Sequence, residues 1–258
     1  MHCVLALASG SLVGFSLGLI GGGGSILALP LLLYVVGVTD PHRAIGTSAL
    51  AVAVSAFANL LPHARSGNVR WKPATIFAAA GALGAYAGST AGKAFNGQRL
   101  LTLFAVLMLV IAGLMQRRRE VASGHDGRLR PAVIARLAGV GLGAGVLSGF
   151  FGIGGGFLIV PGLILAADLS TLHAIGSSLL AVGAFGLTTA VNYAASGLVD
   201  WWIAALFIAG GITGGWLGAA LAHRLSKGRD TLNRVFGLVV VAVALYMLAR
   251  STGWLASR

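Results

Sequence analysis

Residues 14–30 read GFSLGLIGGGGSILALP, and residues 145–161 read GVLSGFFGIGGGFLIVP. Each stretch holds a Gly-x-x-x-Gly pair, then a run of glycines, then a proline. A shift of about 131 residues superimposes one stretch on the other. Both lie inside long apolar segments, where consecutive glycines break a helix. The chain therefore carries an internal duplication with an interrupted helix in each copy.

The composition places the chain in a membrane. Of its 258 residues, 57% are hydrophobic and only 9% are charged, whereas a soluble domain carries about 25% charged residues. Apolar segments longer than about 18 residues recur along the whole length. This pattern predicts an all-α polytopic membrane protein with the lipid bilayer as its main partner.

The net charge of +12 comes from basic residues that lie mostly in loops between apolar segments. In such loops Lys and Arg set the membrane topology and contact anionic headgroups. Since no basic patch is interleaved with aromatic residues on a polar surface, nucleic acid is not expected as a partner. Cys3 is the only cysteine, which excludes a site built from several thiolates. No metal or cofactor is expected.

Eight apolar elements fall into two sets of four, which predicts a single transmembrane transporter domain over residues 1–258. The first repeat covers about 3–116, a cytoplasmic linker covers 117–132, and the second repeat covers about 133–250. The elements span 3–37, 44–62, 73–92 and 99–116, then 133–167, 174–195, 201–223 and 233–250. A shift of 130 also matches Gly-Thr-Ser (46–48) with Gly-Ser-Ser (176–178), and Ser-Gly-x-Val-x-Trp (66–71) with the same motif at 196–201.

The first element of each repeat is too long for one straight crossing. As a helix, residues 3–37 would extend about 50 Å, against a hydrocarbon core of about 30 Å. Each element is therefore either a crossing broken at the glycines or a re-entrant hairpin. Hairpins place more Lys and Arg in cytoplasmic loops than single crossings do, and they orient the two repeats oppositely. The charge pattern thus favours inverted repeats.

The glycine runs predict an anion site at the broken helices. A new helix is expected to begin after Gly24 and after Gly156, and its first N–H groups have no partner within the helix. The paired hydroxyl motifs supply neutral donors close by. The predicted substrate-binding residues are Gly22, Gly23, Gly24, Ser25, Thr47, Ser48, Gly154, Gly155, Gly156, Ser177 and Ser178. Ser25 faces Gly156 in the alignment of the copies, so unequal half-sites are expected. Plain helix packing for the glycines, and backbone hydrogen bonding for the hydroxyls, remain alternatives.

Missing residue types narrow the function. All six acidic residues fall in or beside loops, whereas cation carriers commonly place a carboxylate at the midplane. A small anion is therefore the expected substrate. No Gly-x-x-x-x-Gly-Lys-Ser/Thr loop for ATP occurs, so the energy would come from a gradient. A passive anion channel is the closer alternative. An intramembrane enzyme with Ser25 or Ser48 as nucleophile is a weaker one, because neither lies in a motif with a partnered histidine.

The repeated glycine break with its proline, the Gly-Thr/Ser-Ser motif and the Ser-Gly-x-Val-x-Trp motif resemble those of the TauE/SafE-type sulfite exporter family. The resemblance covers nearly the whole chain. It implies a multi-pass secondary transporter of the bacterial inner membrane that exports small sulfur-containing oxyanions such as sulfite, thiosulfate or organosulfonates. Two departures are Arg70, which stands where the second copy has Asp200, and Gly22, which is matched by Ile153. These departures leave the particular anion open, and the sequence leaves a homo-oligomer open.

Overall fold

A computed structural model describes residues 2–116, 130–154, 156–224 and 229–251, and within these ranges every regular element is a helix. A 3₁₀ helix (Gly21–Leu27) and a π-helix (Leu32–Val36) flank the short helix α2. The α-helices are α1 (His2–Ile20), α2 (Ala28–Leu31), α3 (Pro41–Arg65), α4 (Trp71–Ala94), α5 (Gly97–Gln116), α6 (Pro131–Phe151), α7 (Gly156–Ala167), α8 (Thr171–Ala194), α9 (Trp201–Arg224) and α10 (Arg229–Ser251).

Five segments of the described chain are long and apolar enough to cross a membrane. They are His2–Val36, Pro41–Arg65, Pro131–Phe151, Thr171–Ala194 and Trp201–Leu221. Together with the all-helical structure, they make the chain a polytopic helical membrane protein. Trp71 and Trp201, at the starts of α4 and α9, are 51% and 66% exposed, as expected of aromatic residues at a membrane interface.

The first glycine run turns the chain back along α1. Gly21 has φ +76°, a conformation that favours glycine. At the far end of the segment, Nδ1 of His2 lies 2.8 Å from the carbonyl oxygen of Val36. The segment therefore returns to the end at which α1 begins. Of the two shapes left open by the sequence, this contact is that of a hairpin.

The second glycine run makes the same reversal with a different local structure. Helix α6 ends at Phe151, and Gly152 and Gly154 have φ +68° and +67°. Helix α7 then packs back on α6, because a Cβ on Gly162 would lie 3.0 Å from Cγ1 of Val140. Those two residues are equally far along the chain from Phe151, as they are in a hairpin.

The two breaks differ in where the next helix begins. Helix α7 begins at Gly156, as predicted. In the first half, the prediction of a helix start after Gly24 is wrong: Gly21–Leu27 wind as a 3₁₀ helix, and α2 begins only at Ala28. Gly24 lies directly against the α1 backbone, where a Cβ would be 2.6 Å from Cβ of Ser16. The narrower 3₁₀ winding fits this close approach.

Three helix pairs join the two halves of the chain. Helix α1 packs on α9 and α4 packs on α6, while α3 and α8 pack on each other. A Cβ on Gly14 would overlap the carbonyl of Gly211, and one on Gly145 would overlap that of Gly81. The Gly-x-x-x-Gly pairs thus serve close backbone packing, as small residues do in membranes.

Candidate functional site

The two glycine runs meet in the interior of the bundle. A Cβ on Gly22 would lie 2.8 Å from the carbonyl oxygen of Gly156, and one on Gly156 would overlap the carbonyl of Gly22. Val182 of α8 closes one side, with Cγ2 2.7 Å from the same Cβ position on Gly22. Gly22, Gly154 and Gly156 are buried, whereas the predicted site residue Gly155 lies outside the described residues. The breaks therefore form one centre.

Each glycine run is hydrogen-bonded by a serine from the other half of the chain. The N–H of Gly22 donates to Oγ of Ser178 at 3.2 Å. Oγ of Ser48 donates to the carbonyl of Gly152 at 3.2 Å. Ser48 shares its one hydroxyl proton between that carbonyl and the carbonyl of Ile45 at 2.9 Å, while Ser178 donates to the carbonyl of Ile175 at 2.7 Å. The structure thus brings these two predicted site residues to the glycine centre.

Thr47 and Ser177 contact loops instead of the glycine runs. The N–H of Asp200 donates to Oγ1 of Thr47 at 2.9 Å, and the N–H of Arg70 donates to Oγ of Ser177 at 2.9 Å. These two hydroxyls accept a bond without donating one to another described residue.

The Ser-Gly-x-Val-x-Trp loops dock on the hydroxyl motifs through backbone atoms. A Cβ on Gly46 would overlap the carbonyl of Leu198, and one on Gly176 would overlap that of Asn68. Sequence reasoning missed this partnership, although the shared shift of 130 residues was a signal for it. Each loop holds the hydroxyl motif of the other half.

The remaining predicted residues in the first break serve the turn itself. Oγ of Ser25 donates to the carbonyl of Gly22 at 2.9 Å, and Gly24 packs on α1. A Cβ on Gly23 would meet only Cγ2 of Ile20, at 3.4 Å. Since α7 begins with Gly156 at the matching place, the two breaks differ as the sequence indicated.

The described residues of the centre are buried, and none of them carries a charge. The side chains of Ser25, Thr47, Ser48, Ser177 and Ser178 are fully buried. Among the described acidic residues, Asp40 and Asp200 directly precede a helix, Asp168 directly follows one, and Asp230 is the second residue of α10. An anion in such a site would be held by N–H and O–H dipoles, which are strongest where water is excluded.

Two further polar side chains are buried on the same helices. Both amide atoms of Asn59 on α3 and Oγ1 of Thr189 on α8 have no hydrogen-bond partner among the described residues. Each follows its Ser48 or Ser178 by eleven residues, which is three helical turns, so it lies on the same helix face. A buried polar group without a partner costs free energy. These positions therefore extend the list of residues to test.

Comparison with known proteins identifies the family. The family model of the sulfite exporters TauE/SafE matches residues 6–247. The chain belongs to this family. The names of the family and of its relatives indicate a membrane transporter rather than an enzyme.

The relatives of this TauE/SafE chain align over nearly their full length. A probable membrane transporter protein of Xylella fastidiosa (strain Temecula1) is 58% identical over 251 residues, which covers 96% of this chain and 95% of the relative. The probable membrane transporter protein YunE of Bacillus subtilis is 28% identical, with 96% and 98% covered. No solved structure matches the chain.

Proposed function

We propose that this TauE/SafE protein is a secondary transporter that exports small sulfur-containing oxyanions, such as sulfite, thiosulfate or organosulfonates, across the bacterial inner membrane. The observation that carries the proposal is the contact between Gly22 and Gly156, with Ser48 and Ser178 bonded to the glycine runs from opposite halves. Interrupted helices that meet inside a bundle are a common design of transporter substrate sites.

The chemistry of the centre suits an oxyanion. A sulfite or sulfonate group presents three oxygens that accept hydrogen bonds, and the backbone N–H groups of the glycine runs with the hydroxyls of Ser48 and Ser178 would be its donors. Because no described residue of the centre is a buried cation, the anion would be held firmly enough to select it and loosely enough to release it. A cation would find no carboxylate among the described residues around the centre.

Alternating access follows from the crosswise contacts. In our proposal the two halves are inverted repeats, so the hairpin of each half reaches the centre from the opposite membrane face. The bonds Asp200 N–H to Thr47 and Arg70 N–H to Ser177 then act as two latches, one near each face. Breaking one latch would open the centre to one side while the other stays closed.

Transport into liposomes tests the proposal. Purified protein is reconstituted, and uptake of sulfite, thiosulfate, sulfate and a short sulfonate is measured under imposed pH gradients. We expect saturable uptake that the double variant Ser48→Ala/Ser178→Ala abolishes. The matched control is Ser11→Ala, because that hydroxyl bonds only the Leu7 carbonyl of its own helix.

Three outcomes would refute parts of the proposal. Normal uptake by a folded double variant removes the two serines from the site. Non-saturating flux far above carrier rates makes the protein an anion channel. For the topology, single cysteines are placed between α9 and α10, at residues 225–228, and at the C-terminus of a Cys3→Ser background. Periplasmic labelling of the loop would exclude inverted repeats.

A further inference from the structure

An open groove of about 480 Å³ lies on the outer face of the bundle between α4 and α8. Its walls are mostly apolar: Tyr86, Leu187, Thr188, Val191, Asn192 and Ala195 line it. Tyr86 and Val191 are each 61% exposed. Helix α8 is one of the five segments that can cross a membrane, and α4 packs on it, so we expect this apolar groove to face lipid.

A lysine lies next to the groove and contacts Asn192 of its wall. Nζ of Lys93 donates to the carbonyl and to Oδ1 of Asn192, at 3.0 and 2.8 Å, and to Oγ of Ser196 at 2.9 Å. The amide of Asn192 in turn donates to Oγ of Ser89 at 2.7 Å and to Oγ1 of Thr90 at 3.0 Å. The ammonium group is thus fixed in place by a network that links α4 to α8.

The charge of this lysine is not neutralised. All three atoms that accept its hydrogen bonds are neutral, and no carboxylate of the described residues lies within 4.0 Å of its Nζ. Lys93 is the next-to-last residue of α4, which places it at the level of the lipid headgroups. Tyr86 lies seven residues deeper, or about 10 Å along the helix.

We propose that this groove binds one anionic phospholipid. The positive charge of Lys93 attracts the phosphate, and an acyl chain lies along Tyr86 and Val191. A fixed, unneutralised cation above an apolar groove complements a lipid whose negative headgroup caps an apolar tail. The inference does not depend on the proposed substrate, because the groove lies outside the glycine centre.

Native mass spectrometry of the full-length protein in detergent tests the site. Phosphatidylglycerol and phosphatidylcholine are added separately, and bound lipid is counted. We expect phosphatidylglycerol to bind preferentially. Lys93→Gln should weaken that binding about tenfold, which corresponds to about 1.4 kcal/mol, while Lys93→Arg keeps it. Lys72→Gln, an exposed lysine at the other end of α4, is the matched control and should bind as the wild type does.

A second variant separates lipid binding from a purely structural role of Lys93. Val191→Trp fills the groove at an exposed position and leaves the lysine network in place, so it should also displace phosphatidylglycerol. Equal binding of the two lipids, or unchanged binding by a folded Lys93→Gln variant, would overturn the proposal. Should Lys93→Gln fail to fold, unchanged binding by Val191→Trp overturns it alone. Inorganic phosphate that competes as well as the lipid would make this a free-anion site instead.

Discussion

Replacing Gly22 by alanine tests whether the two glycine breaks touch. The new Cβ would overlap Cα of Gly156 and would lie 2.7 Å from Cγ2 of Val182. Neither neighbour can retreat easily, because the first is backbone and the second belongs to a packed, buried helix. Gly23→Ala is the matched control in the same 3₁₀ helix, since its Cβ would meet only Cγ2 of Ile20, at 3.4 Å.

The two substitutions should change the free energy of unfolding in opposite directions. Forcing a methyl group into a filled space costs about 1–3 kcal/mol, so Gly22→Ala should destabilise the protein by that amount. Neither Gly22 nor Gly23 has a positive φ. An alanine at Gly23 therefore fits the backbone and should stabilise by about 0.4–1 kcal/mol, because it restricts the unfolded chain.

Thermal unfolding of both variants in the same detergent measures the difference. About 2–4 °C of Tm corresponds to 1 kcal/mol in a chain of this size, so the two variants should differ by several degrees. Gly22→Ala should also transport less, because the breaks can no longer approach each other. Equal unfolding temperatures for the two variants would show that Gly22 and Gly156 are not in contact, and the proposed centre would lose its basis.

Three further substitutions probe other contacts by their effect on Tm. Gly145→Ala should destabilise the protein by about 1–3 kcal/mol, because its Cβ would overlap a carbonyl of α4. Its control, Gly143→Ala on the same helix, meets open space and should not lower Tm. Equal losses of Tm would contradict the α4–α6 packing. Thr47→Val removes the acceptor of the Asp200 N–H, just before α9, and should destabilise the protein by about 1–3 kcal/mol. Its control is Thr213→Val, whose hydroxyl bonds only its own helix and whose loss should change Tm little. An unchanged Tm for Thr47→Val would exclude that latch. Tyr193→Phe removes a buried hydroxyl that has no partner among the described residues, so it should leave Tm unchanged or raise it, and a clear drop would reveal a bound group at that hydroxyl.

The helices and their breaks could be predicted because glycine and apolar runs act on the local backbone. The predicted elements match the helices to within a few residues, apart from the start of α2. The close packing of Gly14 and Gly145 was also predictable, since small residues four apart lie on one helix face. The 3₁₀ winding after Gly21 was not, because it depends on the surface of α1 at Ser16.

The partners of the polar residues depend on tertiary structure. The sequence placed Thr47 and Ser177 with the glycine runs, and the structure has them at the loops of the opposite half. It also predicted a ligand-facing Ser25, whose hydroxyl bonds its own turn. Arg70 and Asp200 can differ in this contact because each contributes its backbone N–H to it. The Asp200 side chain has a separate role, since it accepts from the N–H of Ile203 at the start of α9 at 3.0 Å.

The crosswise hydrogen bonds have a consequence for how the protein is made. When a ribosome has released only the first half, Thr47 and Ser48 are already in the membrane, but Asp200 and Gly152 have not been synthesised. Ser48 then keeps only its bond to the Ile45 carbonyl, and Thr47 lacks the Asp200 N–H, so the early helices cannot reach their final packing alone. Their packing stays incomplete until the second half is inserted into the bilayer. Assembly of this protein is therefore completed late, after translation of residue 200 at the earliest.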